Sequence, residues 1–488
     1  MRVTPCQAAL AAAISLNLLL LLLSRLVPPA PPPCRRPRAA ASAAGVTVVL
    51  RDFDGPEHDV AGTARSFSSL PGVAVLVASE APPYPPAALP PGVAVLRLRP
   101  EPHRPPPRPE LAVGTRHVAL VPDGARAAPG LLRRMRDALE GDGAVKAVAA
   151  AVGRRRPRCL ELEVDVKGWT ARDRAYRGVA RCGALDGAPA VVLLRTRDLF
   201  SLPFPLARPV LTSLSFQAAL RGWRFLLLPD SFPSSVPPPF SPLSALKARA
   251  AAEKRHRELM ELFGVKLEVL PDGRRRWHGC TKETPRCFGT VRAQTPEYLL
   301  TGRWTPPCCL RALRATARHV LAELESAGVR HWLEGGSLLG AVRSGDIIPW
   351  DYDVDVGFYR DDLAKCRWLA AVAAAGRAVQ DPRGFLWEKA AEGEFYRVHF
   401  SPANRLHVDL WPFYARAGVM TKDTWLGHAQ DVEFPESFLL PLGSVAFAGV
   451  AAKAPNDPRG FLEFKFGPGA VERAEYPNPG VRRLEQDL

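Results

Sequence analysis

No Asn-x-Ser/Thr sequon occurs in the 488 residues, so N-linked glycosylation offers no marker of the compartment this chain faces. Three basic runs, Arg133-Arg134-Met135-Arg136, Arg154-Arg155-Arg156 and Arg274-Arg275-Arg276, lack the aromatic motif of an RNA-binding surface, which argues against a nucleic-acid partner. They suit a phosphorylated glycan, an acidic membrane surface, or simply solvent around an Arg-rich face. A cationic surplus is missing from the second part of the chain. Residues 280–488 hold 25 Lys and Arg against 26 Asp and Glu, so the net +16 of the whole chain arises in residues 1–279.

Length alone favours two or three domains, and 50 prolines imply many loops. Cys6 to Leu23 is apolar apart from Gln7, Ser15 and Asn17, just long enough to span a thin bilayer. The small residues Ala39 to Ala44 that would suit signal cleavage lie far from it, behind Pro28-Pro29-Ala30-Pro31-Pro32-Pro33, which favours an uncleaved signal-anchor. Arg25, Arg35, Arg36 and Arg38 outnumber Arg2, so flanking charge by itself opposes a lumenal C-terminus. The proline stretch reads as a semi-rigid stem.

From residue 45 onward, short apolar runs alternate with helical patterns, the signature of an open α/β sheet. Val46 to Leu50, Val73 to Val77, Val93 to Leu98, His117 to Val121, Val145 to Val152, Ala190 to Leu194 and Phe225 to Leu228 read as strands, and Leu131 to Leu139 as a helix. No convincing metal motif sits among them; Val121-Pro122-Asp123-Gly124 reads as a turn. This part is therefore expected to be a non-catalytic, Rossmann-like domain resembling a glycosyltransferase layout. Leu243 to Phe263 reads as a bridging helix, with Leu246, Leu259, Leu262 and Phe263 available for packing.

Residues 271–307 lack sustained apolar periodicity, and a loop of that length needs something to hold it. Cys280, Cys287, Cys308 and Cys309 are the candidates, as a tetrahedral Zn2+ site or as two disulfides. Adjacent cysteines favour a shared ion and also open the helix Leu310 to Ala327, whose N-terminal dipole suits thiolates; a secretory lumen favours disulfides. The residues leave both open. Cys159 and Cys182 then remain as a disulfide pair, with Cys34 and Cys366 unassigned.

The densest chemistry lies in Trp350-Asp351-Tyr352-Asp353-Val354-Asp355-Val356-Gly357. In an extended strand Asp351, Asp353 and Asp355 line one face ~7 Å apart, with Tyr352, Val354 and Val356 on the other. Carboxylates so placed repel one another, and Mg2+ both removes that penalty and binds substrate phosphates. Glu334-Gly335-Gly336-Ser337 follows the apolar Val329 to Leu333 and opens an amphipathic run ending near Gly345, with Ser337 expected as the N-cap. Gly-Gly-Ser, a short helix, then Asp-x-Asp on a strand is the layout of the nucleotidyltransferase fold. The third carboxylate that fold takes from a later strand is available in His407-Val408-Asp409-Leu410-Trp411-Pro412, where Val408 and Leu410 bury. His399 and His407 read as satisfied strand histidines.

Glu334 to Gly357 and His407 to Tyr414, with Met420-Thr421-Lys422-Asp423-Thr424-Trp425 and Phe461-Leu462-Glu463-Phe464-Lys465-Phe466-Gly467, resemble the LicD/fukutin family of phosphotransferases. The resemblance implies transfer of an alditol phosphate from a CDP-activated donor to a glycan. Over essentially the whole chain it implies CDP-ribitol as donor and a ribitol-phosphate-bearing O-mannosyl glycan of α-dystroglycan as acceptor. It also implies a type II Golgi membrane enzyme with a lumenal catalytic domain, and a structural zinc-finger loop formed by Cys280, Cys287, Cys308 and Cys309. The expected organisation is a cytoplasmic tail (1–5), anchor (6–26), proline-rich linker (27–44), α/β stem domain (45–270) and an α+β catalytic domain (271–488) holding the loop at 280–309.

In the expected mechanism Asp353 and Asp355, with Asp351 beside them, hold Mg2+ across the donor pyrophosphate. Gly335, Gly336, Ser337 and Arg343 clamp phosphate oxygens. Asp409 serves as general base or third metal ligand, and Trp350 and Tyr352 shape the cytidine pocket. By family position, Gln430 and Asp431 touch the donor. Rival readings are a GT-A glycosyltransferase, an RNA nucleotidyltransferase and a non-catalytic Golgi scaffold; self-association is left open.

Overall fold

The computed structural model describes residues 14–19, 45–53, 58–83, 86–176, 178, 181–235, 241–291, 295–474 and 476. The expected tail, proline-rich linker and most of the anchor lie outside them. Among the described residues no helix is long and apolar enough to cross a membrane.

The first domain is built on an eight-stranded mixed sheet. Its order is Ala94–Arg97, Val73–Ser79, Val46–Leu50, His117–Val121, Ala190–Arg195, Ala147–Val152, Phe225–Phe232 and Arg181–Cys182. The first four run parallel, and Ala190–Arg195 runs antiparallel to both its neighbours. Val46–Leu50, His117–Val121 and Ala147–Val152 are buried at every position, as expected where both faces of a sheet are covered. Val60–Ser68 and Leu131–Gly141 cover one face, and Val210–Ala219 the other.

A second sheet of five strands joins Arg158–Asp165, Thr170–Ala175 and Ala184–Asp186 to Leu267–Val269 and Arg275–Trp277. The Cys159–Cys182 disulfide ties it to the large sheet. Two expectations change here. The boundary placed between residues 270 and 271 falls inside the hairpin formed by Leu267–Val269 and Arg275–Trp277, so the stem's sheet continues past it. The long helix, Pro242–Leu262, packs only through its C-terminal end: Leu259 and Met260 are buried, whereas Leu246 and Leu262 are exposed.

The second domain carries the acidic motif. Its central strands, β1 (His331–Leu333), β2 (Asp353–Tyr359) and β3 (His407–Arg416), lie side by side in that order, and Tyr396–His399, Leu386–Lys389 and Val379–Gln380 extend the sheet. β2 and β3 are parallel, with Asp355 opposite Asp409 and Asp353 opposite His407. Between β1 and β2 the chain forms α1 (Gly335–Ser344), which Gly345 ends in a left-handed conformation. Pro307–Ser326 packs across the sheet, and α2 (Pro458–Phe466) packs on α1.

The domains meet through aromatic and basic side chains. Trp169 Nε1 donates to the Trp304 carbonyl at 2.7 Å, the Arg303 guanidinium lies 3.2 Å from the Trp169 ring centroid, and Arg303 Nε donates to the Val166 carbonyl at 2.8 Å.

Candidate active site

Val354 and Val356 are wholly buried, so the alternate positions of β2 turn Asp353 and Asp355 to the open side of the sheet. Asp351 is not on that strand. It sits one turn earlier, its N–H donating to the Ile348 carbonyl at 2.9 Å and its carbonyl accepting from Thr305 Oγ1 at 2.6 Å. Its carboxylate nonetheless shares a hydrogen bond with Asp353, which keeps it beside the acids of β2. Tyr352 also departs from the expected pattern. It precedes β2, and its phenol is pushed up by burial and then by the charges of Asp353, Asp351, Asp355 and Asp409.

Proton affinity in the cluster is high. Burial lifts Asp351 to about 6, against hydrogen bonds with Asp353 and Tyr352 N–H. Burial, then the charge of Asp409, lifts Asp355 to about 7, although Trp411 Nε1 donates to its Oδ1 at 2.9 Å. Asp353 lies well above the carboxylate range through burial and the charges of Asp351, Asp355 and Asp409. Among the described residues, no Lys or Arg ion-pairs with these three.

Asp409 is different. Arg397 grips it with both arms, Nε to Oδ1 at 2.7 Å and Nη2 to Oδ2 at 3.1 Å. Burial lowers the Arg397 guanidinium's affinity, but the hydrogen bonds and charge of Asp409 and Glu392 outweigh it and hold the cation firmly charged. The fork fixes the orientation of the Asp409 carboxylate beside Asp355. His407 Nδ1 donates to the Arg405 carbonyl at 3.0 Å and His399 pairs with Glu388 at 2.8 Å, both as bonded strand residues.

The glycine pair approaches the acids closely. A Cβ on Gly335, whose φ is +51°, would meet Asp355 Oδ2 at 3.6 Å, and one on Gly336 would meet Asp351 Oδ2 at 3.1 Å. Ser337 is not the N-cap. Glu334 occupies that position, and Ser337 Oγ instead accepts from the Asp355 N–H at 2.8 Å, latching α1 to β2. Arg343 does not reach the acids either: its guanidinium donates to the carbonyls of Val471, Ala470 and Arg473, at 3.0, 2.6 and 2.6 Å. Trp350 packs on Tyr476, ring centroids 5.1 Å apart. Gln430 and Asp431 lie in the loop after Trp425, where Asp431 Oδ1 pairs with Lys422 Nζ at 2.8 Å; Lys422 in turn lies 3.8 Å over the Trp411 ring.

Sequence reasoning missed the buried ion pair between Glu334 and Lys465, which Trp332 completes by donating Nε1 to Glu334 Oε2 at 2.7 Å. It also missed Arg397 and Lys422. Lys465 and Lys422 both stand in segments whose motifs carry the family resemblance, which is the available signal.

The four cysteines gather at the start of the Pro307–Ser326 helix, with Cys308 and Cys309 inside its first turn. Their sulfurs all lie within 4.8 Å of one another. Cys280 and Cys309 are drawn together as a disulfide, and the thiols of Cys287 and Cys308 are 3.4 Å apart. Tetrahedral zinc with Zn–S near 2.3 Å requires four reduced sulfurs about 3.8 Å apart, so the cluster takes one ion only with the Cys280–Cys309 bond open.

A family model for the fukutin-related protein stem domain matches residues 32–271, and one for the LicD/FKTN/FKRP nucleotidyltransferase domain matches residues 328–457. The chain is 55% identical to ribitol 5-phosphate transferase FKRP of Homo sapiens and 53% identical to that of Mus musculus, covering 99% of this chain and 99% of each relative. Among solved structures, the 2-C-methyl-D-erythritol 4-phosphate cytidylyltransferase of Thermus thermophilus is similar at 18% identity, covering 43% of this chain and 99% of that one, with a TM-score of 0.23. That overlap identifies neither fold nor activity.

Proposed function

The chain belongs to the fukutin-related protein family, and on that premise we propose that it transfers ribitol 5-phosphate from CDP-ribitol to a phosphorylated O-mannosyl glycan of α-dystroglycan. It is a transferase, and the observation that carries the site assignment is the run Asp351, Asp353 and Asp355: neighbouring, proton-hungry, and without an ion-paired cation among the described residues. Such a trio suits a hard divalent cation, and Asp353 and Asp355 with Asp351 beside them would hold it. Bound Mg2+ supplies neutralisation of charge on the transferring phosphoryl group and on departing CMP.

The chain's own residues do the rest. Gly335 and Gly336 leave room for phosphate oxygens, the first in a left-handed conformation that side chains disfavour and the second where a Cβ would crowd Asp351, and Ser337 fixes the distance between α1 and β2. Arg397 keeps Asp409 oriented, as a further cation ligand or as general base. An acceptor hydroxyl oxygen bonds to phosphorus as the bond to CMP breaks, and its proton passes to a carboxylate of the acidic cluster. Trp411, Lys422 and Asp431 form a chain that links the donor side of the pocket to Asp355. We place the enzyme in the Golgi membrane as a type II protein, its anchor at residues 6–26, by family resemblance alone.

The direct test incubates the purified protein with CDP-ribitol, other CDP-alditols, CDP-choline and sugar nucleotides, with and without EDTA. The expected result is CMP release with CDP-ribitol, lost on chelation and restored by Mg2+. Transfer from a sugar nucleotide instead would sink the reading.

Two further outcomes follow from the same geometry. Because the folded pKa values of Asp351 and Asp355 stand above the ~3.9 of an unfolded Asp, the native state holds the extra protons. Stability in EDTA is then expected to fall as pH rises from about 4 through about 7, and Mg2+ to recover most of the loss. Melting curves across that range, with no difference between EDTA and Mg2+, would contradict it. For the four-cysteine cluster we propose structural zinc. Cys308→Ser is expected to lose that metal and lower expression and Tm, and normal zinc content with normal Tm would remove the zinc.

A further inference from the structure

A second convergence of metal-ligating side chains lies in the stem, away from the acidic cluster. His256 comes from the Pro242–Leu262 helix, Glu268 from the Leu267–Val269 strand, and His278 from the residue after the Arg275–Trp277 strand. Both imidazoles aim Nε2 at one buried carboxylate. His256 Nε2 is 2.9 Å from each Glu268 oxygen, and His278 Nε2 is 2.8 Å from Oε2. One ligand atom from each residue lies within 4.8 Å of the others.

The sheet register explains the convergence. Glu268 pairs with Arg276 on one side and with Ala171 on the other, so His278 and Asp173, each two residues along, share its face. The C-terminal half of the helix lies over that face and lowers His256 onto it. Asp173 feels the neighbours: burial, then the charges of Glu268 and Asp186, raise its carboxyl to about 6, while His256 and Arg276 act the other way.

We propose that His256, Glu268 and His278 form a second zinc site, distinct from the four-cysteine cluster, with water as the fourth ligand. Two histidines and a carboxylate are a standard zinc donor set. Zn–N and Zn–O distances of about 2.1 Å in a tetrahedron separate ligand atoms by about 3.4 Å, so the three must open by only about half an ångström. Entry is available, since the His256 side chain is 24% exposed and that of His278 12%. The site would clamp the long helix to the domain junction. It would also stand next to the cysteine cluster, because the His278 carbonyl lies 3.7 Å from Cys308 Sγ and 4.0 Å from Cys287 Sγ.

The test is metal analysis of the full chain, purified in detergent without chelators and then equilibrated with zinc. Wild type is expected to hold one zinc more than either His256→Ala or Glu268→Gln. Cys308→Ser is expected to keep the zinc that those two variants lose, which separates this site from the cysteine cluster. In cobalt-loaded Cys308→Ser, ligand-field absorption without thiolate charge transfer is expected, and this disappears in Cys308→Ser/His256→Ala. Equal zinc in wild type, His256→Ala and Glu268→Gln, with no cobalt signal in Cys308→Ser, would overturn the proposal and leave the trio as a hydrogen-bonded salt bridge.

Discussion

Asp353→Asn is expected to reduce transfer by about 10³-fold or more, a loss of about 4 kcal/mol of transition-state stabilisation, while leaving Tm unchanged or higher. The two halves of this result arise from one cause. Asp353 sits among Asp351, Asp355 and Asp409, and burial with those charges drives its proton affinity far up. In the absence of a cation the ionised carboxylate therefore opposes folding, and removing its charge relieves the cluster. The same change removes a charge that would grip Mg2+ over the donor. A structural aspartate would behave in the reverse way, with Tm falling along with activity. Transfer assays and melting curves on the same preparation decide between them; retained activity would exclude Asp353 from the site.

The largest expected effect on stability is at Lys465→Met. Lys465 and Glu334 form an ion pair whose side chains are 1% and 7% exposed. Truncating the cation leaves Glu334 buried at the start of α1, close to Asp355, with only the Trp332 Nε1 hydrogen bond and the more distant charge of Lys422 to offset it. Breaking a buried pair in this way costs about 3–5 kcal/mol. The double variant Glu334→Gln/Lys465→Met is expected to recover much of that loss, because no charge is left stranded. Urea titrations give the answer. A single variant within about 1 kcal/mol of wild type would show that the pair does not hold α2 against α1.

Much of this is legible locally. The strand Ala147–Val152 is a continuous apolar run, Val46–Leu50 and His117–Val121 are broken only by Thr47 and His117, and β3 declares itself by Val408 and Leu410 alternating with Asp409 and Trp411. The five-stranded sheet escapes a local reading because its strands are short and charged outward: in Arg158–Asp165, Leu160, Leu162 and Val164 alternate with Glu161, Glu163 and Asp165, yet only Leu160 is fully buried. The spacing of Asp351 fits a place on β2. What takes it off is a tertiary contact, the Thr305 hydroxyl on its carbonyl, which no local pattern announces. Arg343 is similar: only the fold brings the carbonyls of residues 470–473 within its reach. Ser337 is the residue type that N-caps prefer, but the N-cap falls three residues earlier, at Glu334, with the glycine pair forming the first positions of α1.

The central claim is that these aspartates grip a cation and through it the donor diphosphate. A crystal structure of the full chain with CDP-ribitol and Mn2+, phased to reveal the metal by its anomalous signal, tests it most directly. The account predicts an anomalous peak between Asp353 and Asp355, with the diphosphate bridging it to Gly335 and Gly336. A nucleotide bound elsewhere, with those carboxylates free of metal, would contradict it.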